Sequence, residues 1–291
     1  NRGVVRRTLN YLSFMISAWL AGRRLARPDL VIATSPQFFC AWAGAWLARK
    51  YGTLFILEIR DIWPEAIRTV GAVKGPGIIR FLERLAKKLY ERADHVVTVG
   101  EGHVEQLIKH GVSAERITVI PNGVDLKVFV PRETDEAFRY RFRLDKSFVC
   151  AYIGTVGMAA GLDVVIGAAV QLKTAGRHDI RFLVVGDGAE LETLQRTAAR
   201  AGLGNIIFTG RLDKILVVSA FAASDACLVH LRKADLFRHV IPSKIYEAAA
   251  MARPIILGVE GRAAEMIRKA EAGICFEPEN VRQLTESVIE M

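Results

Sequence analysis

At 291 residues the chain exceeds what one hydrophobic core ordinarily covers, so two domains of about 100 to 150 residues are expected. Its 51% hydrophobic and 24% charged residues exclude a disordered chain, and a net charge of +9 calls for an anionic partner. Nucleic acid is the least favoured such partner, because aromatics do not interleave with the basic residues in any recognised module.

The first 27 residues carry Arg2, Arg6, Arg7, Arg23, Arg24 and Arg27 around the apolar run Tyr11 to Ala21. That run falls short of the roughly 20 residues a membrane span needs, and reads as a helix. Two uses fit it: packing on a sheet with its arginines solvated, or lying on anionic lipid. Strands and helices then alternate. Asp29 to Thr34 reads as a strand, Gln37 to Tyr51 as a helix and Thr53 to Glu58 as a strand, which implies a parallel doubly wound sheet. Arg60, Asp61, Trp63, Pro64 and Glu65 follow at the carboxyl end of that strand, where open α/β sheets hold ligands. The group suits a sugar platform or, equally, a salt-bridged turn. Gly75 to Arg92 is a long helix whose Arg80, Arg84, Lys87, Lys88 and Arg92 suit phospholipid head groups or plain solvation. Asp94 to Val99 and Ile117 to Pro121 complete the first set of strands, and the polar segment 131–147 is placed as a linker between domains 1–130 and 148–291.

The second set holds six strands alternating with helices: Phe148 to Gly154, Ile180 to Val185, Asn205 to Thr209, Asp225 to His230, Ile255 to Leu257 and Gly273 to Phe276. Gly154, Gly157 and Gly161 follow the first of them. Their spacing is not that of a dinucleotide fingerprint, but backbone N–H groups there suit a phosphate. Cys40, Cys150, Cys227 and Cys275 sit apart in apolar contexts and read as reduced thiols, which favours the cytoplasm. No cysteine or histidine pair has metal-ligand spacing, so a structural metal is not expected.

Within Ile241 to Gly258, Pro242 and Ser243 look like the start of an alanine-rich helix, with Ser243 capping it. Lys244 and Glu247 stand three residues apart on it. One reading makes this a nucleotide site, the helix N-terminus meeting a diphosphate and Glu247 a ribose. The other makes them a solvated surface pair.

The ordered blocks IPNGVDLKVF, GTVGMAAGLDVVIGAA, VVGDGAELETLQRTAARAGLGNIIFTGR and PSKIYEAAAMARPII resemble retaining glycosyltransferases of family 4 over almost the whole chain. RDIWPEAIRTVGAV is similar to the lipopolysaccharide and capsule branch, near the L-fucosamine transferases of O-antigen assembly. The resemblance implies two Rossmann-like domains facing a cleft, the GT-B arrangement, with a nucleoside diphosphate-sugar as donor and a metal-independent, retaining transfer to a lipid-linked glycan. It places Glu247 on the ribose, Ser243 and Lys244 beside the diphosphate, the base near Gly210 and Arg211, backbone of Gly154 and Gly157 on the phosphates, and Asp61 and Glu65 toward the acceptor.

Three departures stand out. His239 takes the place of the first of the family's two glutamates spaced eight apart. Thr155 and Ala160 replace the usual Arg and Lys that neutralise the diphosphate, leaving Arg211, Lys214 and Lys244 for that task. The family's opening strand with glycine-rich loop and its closing helix are not in the sequence, which implies an N-terminal domain incomplete at its start and a chain truncated at both ends. The expected protein works at the cytoplasmic face of the membrane. The alternatives are a nucleotide-sugar-binding subunit without catalysis and a UDP-sugar epimerase of the GT-B kind.

Overall fold

The computed structural model describes residues 4–35, 38–63, 75–144 and 146–291. They fall into two compact units, Asn1–Asn122 and Gly123–Met291. In the first, α1 (Val4–Gly22), β1 (Leu30–Ser35), α2 (Phe38–Tyr51), β2 (Leu54–Ile59), α3 (Pro76–Arg92), β3 (His95–Thr98), α4 (Glu101–Lys109) and β4 (Ile117–Val119) alternate. The strands pair in the order β1-β2-β3-β4, all parallel, with Leu30 opposite Leu54 and Ile59 opposite Thr98. Small residues on α2 bring its backbone close to the sheet: Ala41, Ala45 and Ala48 are buried with Phe55, Leu57 and Val96 in one core. The helix of residues 4–22 packs on α2, a helix, where the sequence reading had it on a sheet or on lipid.

The second unit begins with α5 (Glu136–Arg141) and continues as β5 (Phe148–Ile153), α6 (Asp163–Thr174), β6 (Ile180–Val185), α7 (Leu191–Arg200), β7 (Ile206–Gly210), α8 (Lys214–Ala222), β8 (Ala226–His230), α9 (Lys244–Ala250), β9 (Ile255–Gly258), α10 (Arg262–Lys269), β10 (Gly273–Cys275) and α11 (Val281–Glu290). Its six strands run parallel in the order β10-β9-β8-β5-β6-β7. Alternation along β5 sends Val149, Ala151 and Ile153 into one core and Cys150 and Tyr152 into the other, so both faces are covered by helices. Burying each such aliphatic side chain is worth about 1.5 to 3 kcal/mol. The two α/β units with parallel sheets agree with the fold class read from the sequence.

Two elements depart from that reading. The segment 131–147, placed as a linker, carries α5, capped by Asp135 Oδ1 accepting from Phe138 N–H at 2.8 Å, and buries Phe138 and Leu144 in the second unit. An eight-residue helix, α10, fills the stretch between β9 and β10 to which no element was assigned. None of the helices among the described residues is long and apolar enough to cross a membrane.

Candidate functional site

The strand order of the second unit reverses at β5, which pairs with β6 on one side and β8 on the other. Loops leaving the carboxyl ends of neighbouring strands diverge at such a point and leave a crevice. Here they are locked to one another by backbone. Gly154 N–H donates to Val185 O at 2.8 Å, Gly186 N–H to Gly210 O at 2.9 Å and Val156 N–H to Asp187 O at 3.0 Å. Gly186 has φ +139 and lies so close to the Gly154 carbonyl that a Cβ would overlap it. Among the described residues, the N–H groups of Thr155 and Gly157 have no acceptor.

Lys244 opens α9 and reaches this loop. Its side chain lies across Gly154, where φ is +150, and its Nζ donates to Tyr152 Oη at 2.9 Å over a ring whose centroid is 4.5 Å away. Tyr152 Oη in turn donates to Thr155 O at 2.7 Å. The residue as a whole is only half-buried, but its ammonium end is enclosed by the ring and the loop. That burial brings its pKa down to about 8, against the attraction of Glu247. Glu247, one turn further along α9, is half-buried. Its carboxylate has neither a hydrogen bond nor an ion pair among the described residues, and burial raises its pKa against the pull of Lys244. The solvated i,i+3 ion pair is therefore not formed, since the ammonium points at Tyr152 instead.

The expected capping by Ser243 is not observed. Ser243 is itself in helical conformation (φ −59, ψ −26), exposed, and makes no side-chain cap bond. With only seven residues, α9 is also a weaker dipole than the sequence reading assumed. Arg211 and Lys214 follow β7 at the same end of the sheet, both exposed and without an ion pair among the described residues. His239 ends the short 3₁₀ helix Asp235–His239, half-buried, and makes no hydrogen bond to Lys244 or Glu247.

Sequence reasoning missed Tyr152, which looks like one more apolar strand position, and His230. The latter ends β8 at 1% exposure, its Nδ1 2.7 Å from Ala160 O and its Nε2 accepting from Glu279 N–H at 2.9 Å, which fixes the proton on Nδ1. A concavity of about 860 Å³ beside α10 contains neither Lys244 nor Glu247. Its Lys233 pairs with Glu277 and its Arg238 with Glu260, so its charges are balanced internally.

In the first unit Asp61 follows β2, half-buried and without a hydrogen bond or ion pair among the described residues; burial raises its pKa to about 6, Arg60 working against the shift. The Arg60 guanidinium is taken up by Asn122 Oδ1 at 2.6 Å and Glu58 Oε1 at 3.4 Å. Trp63 stacks on Phe38 with ring centroids 5.2 Å apart and planes 5° from parallel. Glu65 lies outside the described residues. No group of three or more His, Cys, Asp or Glu among the described residues is placed to hold a metal ion.

Residues 147–291 match the family model of Glycosyl transferases group 1, and residues 2–123 that of the Glycosyl transferase 4-like domain. The chain is 27% identical over 296 residues to the putative colanic acid biosynthesis glycosyl transferase WcaI of Escherichia coli K12, covering 98% of this chain and 72% of that one. It is 28% identical over 262 residues to the probable glycosyltransferase WbjE of Pseudomonas aeruginosa, covering 89% of this chain and 64% of that one. The fold is similar to that of Anabaena Alr3699/HepE in complex with UDP and glucose, with a TM-score of 0.76 at 19% identity over 96% of this chain and 71% of that one.

Proposed function

On the premise that its two halves belong to the Glycosyl transferase 4-like and Glycosyl transferases group 1 families, the domain pair of GT-B glycosyltransferases, we propose that this chain transfers a sugar from a nucleoside diphosphate to a lipid-linked glycan in cell-surface polysaccharide assembly. The observation that carries the donor site is the unpaired, half-buried carboxylate of Glu247 one turn from Lys244 at the switch point of the second sheet. Glu247 accepts from the ribose hydroxyls. Lys244 and the N–H groups of Thr155 and Gly157 hold the diphosphate as it leaves, a set of donors aimed at developing charge. Arg211 and Lys214 supply further positive charge near the nucleotide, Ser243 stands at the foot of Lys244, and His239 faces the donor sugar in place of an acid. The leaving phosphate takes the proton of the attacking hydroxyl, on the face the nucleotide departs from, so anomeric configuration is retained. Asp61 and Glu65 belong to the acceptor.

The names of the relatives favour a polysaccharide acceptor, and an excess of cations without ion pairs among the described residues favours a site of work at an anionic membrane surface: Arg80, Arg84 and Lys87 on α3 with Lys109 on α4, against the single acid Glu83, line a groove of about 510 Å³, and Ile78 and Phe81 on α3 are more than half exposed. The test is calorimetric titration with UDP and GDP, followed by transfer from the matching nucleotide-sugars to a lipid-linked acceptor. Binding with no turnover on any acceptor would select a non-catalytic nucleotide-sugar subunit, the reading that His239 favours. Isomerised nucleotide-sugar formed without acceptor would select an epimerase.

A further inference from the structure

We infer that His230 and Arg232 are positioning residues for the phosphate-binding loop: they take up three successive carbonyls of the turn Met158–Ala160 and so hold the loop's N–H face toward the nucleotide. The inference rests on the nucleotide reading of that loop. Arg232 Nε donates to Met158 O at 2.8 Å, Arg232 N–H to Ala159 O at 2.9 Å, and His230 Nδ1–H to Ala160 O at 2.7 Å. A loop that receives an anion must turn its carbonyl oxygens elsewhere, since each is the negative end of a peptide dipole. Here the three oxygens that follow Gly157 are all spent on the segment leaving β8. The other side of the loop is pinned by Val156, whose N–H donates to Asp187 O and whose O accepts from Glu190 N–H at 3.1 Å. Gly157 lies between the two pins.

The grip is itself braced. The Arg232 guanidinium bonds Asp163 Oδ1 at 2.9 Å and Glu279 Oε1 at 2.8 Å, and Glu279 holds φ +65 while its N–H donates to His230 Nε2. Gly161, at φ +58, leaves no room for a side chain between the turn and these two residues. The charged groups facing the imidazole are Asp163 from α6, Glu279 from the turn before α11 and Arg232 beside it, with Phe276 stacked on the ring. Burial lowers the imidazole's pKa, against the hydrogen bond to Ala160 O and the pull of both carboxylates. Protonation at Nε2 would set two donors face to face across the Glu279 contact, so acid loosens the turn.

The test compares the full chain with His230→Leu, His230→Gln and Arg232→Met. Glutamine keeps one donor and one acceptor in place of the imidazole's. Amide hydrogen exchange is read without ligand, and UDP and GDP affinity by calorimetry. His230→Leu and Arg232→Met are expected to exchange the hydrogen-bonded amides of Val156 and Ala160 at least tenfold faster, with β9 amides unchanged, and to bind the nucleoside diphosphate at least tenfold more weakly. His230→Gln keeps both properties. As pH is lowered from 7.5 the ratio of wild-type to His230→Gln affinity should fall, a comparison in which the nucleotide's own titration cancels. Unchanged loop exchange, or a rise spread evenly over β9 as well, would overturn the positioning role. A flat affinity ratio would overturn the pH sensitivity. Faster loop exchange in a protein that binds neither UDP nor GDP would leave the clamp standing and remove the nucleotide reading instead.

Discussion

Lys244 lies across Gly154, its side chain filling the space a Cβ would need, and its Nζ ends 2.9 Å from Tyr152 Oη. A glycine there permits a lysine from a strand-distant helix to cross the first βα turn, and the loop and the cation are fixed against each other. Gly154→Ala is therefore expected to act like a change at Lys244. It displaces the ammonium and lowers kcat/KM for the donor at least tenfold, with the two substitutions far from additive in a double-mutant cycle. The pH dependence has a definite sign. With the folded pKa down at about 8, the unliganded enzyme loses the Lys244 charge as pH rises above 8, so donor kcat/KM should fall between pH 8 and 9.5. Lys244→Arg, which stays charged, should flatten that limb, and a limb unchanged in Lys244→Arg would assign it to another group.

In the proposed donor site Glu247 is the second handle. A carboxylate accepting two ribose hydroxyls makes charge-assisted bonds worth about 1.5 to 3 kcal/mol each. Glu247→Ala, which removes both bonds, should raise the donor Kd by at least about 100-fold on that scale, while acceptor KM stays within twofold. The same comparison with a 2′-deoxy nucleotide should show a smaller penalty, because one of the lost bonds is already missing. Equal penalties for both nucleotides would place the carboxylate away from the ribose.

The strands of both units were legible because parallel strands covered on two faces read as unbroken apolar runs, and Gly or Asn punctuates their ends. Two short helices were not. Two turns of α10 or one and a half of α5 carry too few periods to separate from a polar loop, and it is Phe138 and Leu144 packing on the second unit that decides. At the site, Lys244 and Glu247 were visible as a pair, but their spacing alone suggests that they satisfy each other. What separates them is Tyr152, 92 positions earlier in the chain, and no local pattern tells a tyrosine that meets an ammonium from one that only fills a core. His230 was hidden for a similar reason: both of its partners, Ala160 and Glu279, are distant in sequence.

Gly186 tests how rigid the loop scaffold is. A Cβ at that position would overlap the Gly154 carbonyl oxygen, a backbone atom that cannot swing away, and its φ of +139 is closed to other residues. Gly186→Ala should cost about 2 to 3 kcal/mol by chemical denaturation, combining backbone strain with overpacking. Gly77, in the first turn of α3 with open space around it, is the control. Gly77→Ala should be neutral or stabilise by up to about 1 kcal/mol. If the two alanine variants melted alike, the close approach of the two loops would not be a feature of the protein in solution.

Asp61 offers a prediction in which stability and activity move in opposite directions. Its pKa is raised to about 6 by burial, so the folded protein favours the protonated acid relative to the unfolded chain, where the ordinary value is 3.8. A group with a raised carboxyl pKa contributes most below the unfolded value, and that contribution is lost as pH rises through the folded one. At pH 7.5 the native state therefore holds a desolvated carboxylate at a cost of about 1 to 2 kcal/mol, after allowance for its partial exposure. Asp61→Asn removes the charge while keeping the shape, and should raise the unfolding free energy at pH 7.5 by that amount and have no stabilising effect at pH 4. A charge retained at such a cost is expected to serve the acceptor, so the same variant should lower acceptor kcat/KM at least tenfold and leave the donor Kd unchanged. In the wild type, acceptor kcat/KM should fall as pH drops below about 6, where the carboxylate takes up its proton. An Asp61→Asn protein that is more stable and fully active would make the residue a buried acid without a part in transfer.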